Sequence, residues 1–142
     1  MNDTKDASKD NRVLLLTPTG RDADVARSAL EHFGIEAVTC TSVDELSECL
    51  HEGAAAAVVA EEALDAGSMA RFTGCLATQP GWSDFPVVLL LGRKSTEHSV
   101  QQMLQVLEPF AAVTLLERPM RTTTLLSAVQ GVLRSRKRQY EM

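Results

Sequence analysis

Apolar residues gather in five short blocks, and longer amphipathic stretches separate them. Val13-Leu14-Leu15-Leu16 runs without alternation, as a strand buried on both faces requires, and the turn at 17–20 stops it. From about Asp22 the residues Val25, Ala26, Ala29, Leu30 and Phe33 recur at helical spacing, with Gly34 where a helix C-terminal cap belongs. A second strand over 36–40 leads to Ser42 and Glu45, which have capping-box spacing for a helix that buries Val43, Leu46 and Leu50 and ends near Gly53. The third block, 54–60, ends in Val58-Val59-Ala60 and delivers the chain to Glu61-Glu62. Between 64 and 85 the pattern predicts a helix around 68–77 and a loop at 79–82. Residues 85–91 form the fourth strand, and the helix over 96–107 places Val100, Met103, Leu104 and Leu107 on one face. A fifth strand over 113–116 precedes a helix from about Thr122 that buries Leu125, Leu126, Val129 and Leu133. Alternation of this kind predicts an α/β fold, a doubly wound parallel sheet with helices on both faces.

Length and composition fit one domain. The chain has 142 residues, 44% of them apolar, with no internal repeat and no second composition regime. Residues 1–11 are polar and mixed in charge, so they read as a disordered lead-in and lack the apolar stretch of a secretory signal. No apolar run approaches the roughly 20 residues that span a bilayer, and the expected location is cytoplasmic. Cys40, Cys49 and Cys75 are odd in number and lack CxxC spacing, which speaks against a disulfide framework and against a zinc site. The net charge is −5, but the last nine residues hold Arg134, Arg136, Lys137 and Arg138 against Glu141, leaving the preceding body at −8. A body so charged repels nucleic acid phosphate.

Phe85-Pro86 opening the fourth block, Arg118-Pro119-Met120 closing the fifth, and the strand-helix order together resemble the receiver domain of response regulators, over roughly residues 12–134. The resemblance implies a CheY-like, flavodoxin-like three-layer α/β/α sandwich with strand order 2-1-3-4-5 and a site outside the carboxyl ends of the strands. In that family two adjacent acids follow the first strand and, with an acceptor Asp, hold Mg²⁺ through hard oxygen ligands. Here Thr17-Pro18 stands in their place. The acceptor position after the third strand falls on Glu61, with Ala60 and Glu62 one residue to either side. A glutamate there carries negative charge one methylene further out, a crude imitation of phosphoaspartate. The family's switch hydroxyl falls on Leu91, its switch aromatic on Leu115, and its phosphate-pairing lysine on Arg118, which keeps the charge but not the geometry of an ammonium. Carried over from the family, the Arg118–Pro119 bond is expected to be cis. The resemblance is therefore to a pseudo-receiver with no catalytic residue, no metal, no cofactor and no phosphotransfer, and so to a protein that is not an enzyme.

Other residues bear on alternatives. Glu61 and Arg118 are placed to form an ion pair across the vestigial pocket. Asp22 and Asp24 offer carboxylates in the first loop, though acids there commonly complement a helix dipole. Gly92-Arg93-Lys94-Ser95-Thr96 fails as a phosphate-binding P-loop, because Arg93 stands where the pattern needs a glycine before the lysine. His32, His51 and His98 lack a paired acid or nucleophile at fixed spacing. The resemblance implies contact with a protein partner or with the chain's own downstream kinase or output domain, and residues 135–142 read as the start of a linker helix to such a domain. Family dimerisation through the fourth helix, fifth strand and fifth helix implies that Gln101, Gln105, Arg121 and Thr124 face a second copy. The setting expected is a bacterial two-component protein, as the amino-terminal part of a sensor histidine kinase. Two alternatives stand beside it: an atypical phosphoacceptor using Asp65 or Asp22, and a small-ligand or nucleotide sensor using the loops around Gly20 and Gly92.

Overall fold

The computed structural model describes residues 11–17, 20–79, 84–92 and 95–141, with residues 20–22 and 137–141 described by their backbone alone. The lead-in (save Asn11), Pro18, the residues 80–82 of the expected loop, and Arg93-Lys94 lie outside the described residues. Five strands, β1 (Val13–Leu16), β2 (Ala37–Cys40), β3 (Ala56–Ala60), β4 (Phe85–Leu91) and β5 (Ala111–Glu117), pair in parallel in the order β2-β1-β3-β4-β5. The helices are α1 (Gly20–His32), α2 (Val43–Glu52), α3 (Ala66–Leu76), α4 (Glu97–Leu107) and α5 (Thr122–Glu141), and a short 3₁₀ turn, Glu61–Ala63, follows β3. The expected fold and strand order are those observed.

Side-chain alternation along the strands sorts the core into two layers. Leu14, Leu16, Ala57, Val59, Val87 and Leu89 meet α2 and α3, whereas Val13, Leu15, Val58, Val88 and Leu90 meet α1 and α5. The strands β1, β3 and β4 are buried at every position, which is why their sequences are continuous rather than alternating. Register then fixes the site. Leu16 lies opposite Val59, Ala60 opposite Leu90, and Leu91 opposite Glu117, so Thr17, Glu61 and Arg118 emerge at one end of the sheet.

Local signals held with adjustments. Ser42 accepts from the Glu45 backbone N–H at 3.1 Å, but the Glu45 carboxylate returns to Thr41 rather than completing a capping box. Gly34 and Gly53 have φ of +79° and +123°, so both helix ends use conformations that favour glycine. In α1 the inward face is Ala23, Ala26 and Leu30, while Val25 and Phe33, expected on that face, are 51% and 58% exposed. Of the expected inward face of α4, only Leu107 is fully buried. At the basic end of α5, Arg136 is 4% exposed, its guanidinium 5.3 Å from the centre of the Phe85 ring. Its flat, weakly hydrated cation suits an aromatic face.

Candidate functional site at the carboxyl end of the sheet

Three connections converge where β1, β3, β4 and β5 end. The first is the turn Glu61–Ala63, which sends the Glu61 side chain toward the loop after β4. There the Ser95 hydroxyl meets both carboxylate oxygens, at 2.6 and 2.5 Å. The same oxygen accepts from the Gly92 backbone N–H at 3.1 Å, and Ser95 N–H donates to the Gly92 carbonyl at 3.2 Å. A closed loop of hydrogen bonds therefore ties the end of β3 to the loop that starts α4, with the acceptor charge of Glu61 met by a neutral donor. Gly92 lies between the two side chains: a Cβ there would be in ordinary contact with Arg118 Nη2 at 3.4 Å and Glu61 Oε1 at 3.6 Å.

The second connection is Arg118. Its Nη1 donates to Glu62 Oε1 at 2.6 Å and its Nη2 to Glu62 Oε2, a two-pronged pair, while Nε donates to the Leu91 carbonyl at 3.1 Å. The ion pair across the pocket is thus made with Glu62, not with Glu61 as expected. Glu62 lies next along the 3₁₀ turn, and a planar guanidinium already bonded to the end of β4 reaches it edge-on. The hydrogen bonds from Arg118 hold the Glu62 carboxyl below the usual glutamate range, partly offset by burial. The Arg118–Pro119 bond is cis.

The third is Thr17, 7% exposed, whose hydroxyl is buried without a hydrogen-bond partner. Leu91 is 6% exposed and belongs to the core, and Leu115 is 36% exposed on an edge strand. Asp65, an alternative acceptor, is the N-cap of α3: its carboxylate accepts from Ser68 N–H at 2.8 Å, and that bond holds its carboxyl below the usual aspartate range. Asp22 has no described side chain, and Asp24 lies 4.0 Å from Arg27. Among the described residues no three acid, histidine or cysteine side chains are grouped to hold a metal ion. Burial, and next to it Cys49, pushes the Cys40 thiol up to about 12, the opposite of an activated thiolate. Gln101, Gln105, Arg121 and Thr124 are all exposed.

Ser95 and the pairing of Glu62 were missed from the sequence. The signal for Ser95 was weak, a serine three residues beyond the glycine that ends β4. The Asp65–Ser68 spacing, by contrast, is a plain N-cap signal.

No protein-family model and no curated protein sequence matches the chain. Solved structures do. NtrX from Brucella abortus superposes with a TM-score of 0.73 at 18% identity, over 92% of this chain and 28% of that one. A CheY-like response regulator receiver domain protein from Methanospirillum hungatei JF-1 gives 0.72 at 19% identity, over 91% and 98%, and a receiver protein from Burkholderia phymatum gives 0.66 at 19%, over 85% and 93%. The chain thus spans about a quarter of NtrX but nearly all of the single-domain receivers. With its parallel order β2-β1-β3-β4-β5 and its site outside the carboxyl ends of the strands, this chain has the fold of the response regulator receiver domain.

Proposed function

We propose that this chain is a receiver-like signalling module that does not accept a phosphoryl group and acts through protein contact. The observation that carries the reading is the Glu61–Ser95 pair: the carboxylate where the acceptor is expected is already engaged by a hydroxyl, beside a Thr17 that supplies no carboxylate. Phosphoryl transfer needs cations to neutralise the oxygens of the transferring group, and among the described residues that follow the strand ends the arginine, Arg118, is paired with Glu62. The protein is then not an enzyme, and its output is a surface.

That surface is α4, β5 and the start of α5. β5 is the outer strand of the sheet, and Val106, Phe110 and Leu115 are exposed at 44%, 38% and 36% along this side. Apolar side chains beside an open strand edge favour burial against a partner. A homodimer formed here would set two α5 helices side by side, with Gln101, Gln105, Arg121 and Thr124 at its polar rim, and pass orientation to a downstream kinase or output domain. No described helix is long and apolar enough to cross a membrane, and a cytoplasmic setting in a bacterial two-component protein fits the reading.

Two measurements test it. Incubation with acetyl phosphate and Mg²⁺ should leave the intact mass unchanged, and a gain of one phosphoryl group would reject the non-acceptor claim. Light scattering should show a dimer that Leu115→Arg converts to monomer. A wild-type monomer at every concentration would reject self-association.

A further inference from the structure

A cavity of about 510 Å³ opens beside the site, between α1 and the amino-terminal end of α5, with Gly92 and Arg118 in its wall. Its size is that of a small-molecule site. Val25, Ala26, Leu90, Pro119 and Leu125 supply apolar parts of its described wall, and Met120 adds a thioether that adapts to irregular shapes. Two features make the wall more than a packing gap. Thr17 forms part of it, and its buried hydroxyl lacks a partner, which costs free energy until a polar group meets it. The charged side chains in the described wall are both arginines, Arg118 and Arg121.

From these observations we infer that the cavity binds a small amphipathic anion, a single acidic head on an apolar body. The apolar wall takes the body. The head faces Arg121, which is exposed, and the amino-terminal end of α5, whose dipole also favours negative charge. One negative charge fits better than several. Among the described residues of the wall Arg118 shares its charge with Glu62, and Glu61 Oε1 stands just beyond Gly92, so several negative charges would crowd Arg121 and meet a nearby carboxylate. The ligand would be an input to the protein-contact surface, entering beside the cis Arg118–Pro119 bond between β5 and α5.

A matched pair of fluorescent probes tests this on the intact chain: 1-anilinonaphthalene-8-sulfonate, which carries the acid, and N-phenyl-1-naphthylamine, the same apolar body without it. The sulfonate should bind saturably at one site per chain, and the neutral amine about tenfold more weakly. Arg121→Glu, at an exposed position, should remove that preference. Val25→Trp, reaching in from the exposed face of α1, should abolish binding of both. Phe33→Arg, at an exposed position just beyond α1 and outside the cavity wall, should leave both unchanged, which separates the cavity from exposed apolar side chains elsewhere. Equal affinity for the two probes, binding that survives both Arg121→Glu and Val25→Trp, or no saturable binding would each overturn the assignment. A thermal melt of every variant distinguishes lost binding from lost fold, and Arg121→Glu carries the test if the tryptophan variant does not fold.

Discussion

β3 and β5 lie two strands apart in one sheet, and they are built to different ends. All five residues of β3 are buried, whereas of the seven in β5 only Ala111 is, and the helix beside it, α4, fully buries only Leu107. The centre is held by packing on both faces. The flank is attached, and two polar ties do part of the attaching: Glu61 at the end of β3 to Ser95 before α4, and Glu62 to Arg118 after β5. A sheet so arranged can keep its fold while its outer face adapts to a partner. In such a protein the low-stability part is where signals are read or passed.

The sharpest way to break that contrast is to truncate one leucine in each region. Leu89 in β4 is fully buried among both neighbouring strands, so Leu89→Ala should cost about 3 kcal/mol in urea denaturation. Leu115 lies opposite it in the register but is 36% exposed, and Leu115→Ala should cost about 1 kcal/mol or less. Equal costs would mean that the flank is part of the rigid core.

A smaller effect probes the first tie. Ser95→Ala removes the donor to Glu61 and the acceptor for Gly92 N–H, and should cost about 1.5 kcal/mol, since hydrogen bonds to charged groups exceed neutral ones. More telling is where the loss appears. Amide exchange should quicken in α4 and leave β1 and β3 protected; uniform quickening would deny that Ser95 fastens the flank to the centre.

The same division decided how much could be read from the chain in advance. Strands β1, β3 and β4 declare themselves through continuous apolar runs, because burial on both faces admits nothing else. Gly34 and Gly53 mark helix ends through backbone conformations that other residues resist. The flank is less legible: Val100, Met103 and Leu104 have the periodicity of a packed helix, and only the structure shows that the face is partly open. The strand-end positions Thr17, Glu61, Leu91 and Arg118 could be placed together in advance, because each is fixed by where a strand ends. Their contacts could not. Whether Arg118 takes Glu61 or Glu62, and whether a serine four residues beyond Leu91 reaches back, depends on loop paths that no periodicity encodes. Arg136 shows the same limit, since a basic run looks solvated until an aromatic ring lies beneath one of its members.

The second tie should show itself through acid. The Glu62 carboxyl titrates below the usual glutamate range because Arg118 hydrogen-bonds its charged form. A carboxyl depressed in the folded state stabilises the fold above its unfolded value of about 4.3 and loses that contribution as pH falls through the lower folded value. Glu62→Gln should therefore destabilise the protein at neutral pH by less than about 1 kcal/mol, as befits a pair whose carboxylate is 40% exposed. The gap between the two proteins should close as the pH drops below that value. Glu45 and Asp65 are depressed as well, by the Thr41 hydrogen bonds and the Ser68 N–H respectively, so both proteins weaken in acid and only the difference between them reports on Glu62. A difference that stays constant from neutral pH into the acid range would mean that Glu62 does not help to hold Arg118, and that the flank is fastened to the centre at Ser95 rather than at both ends.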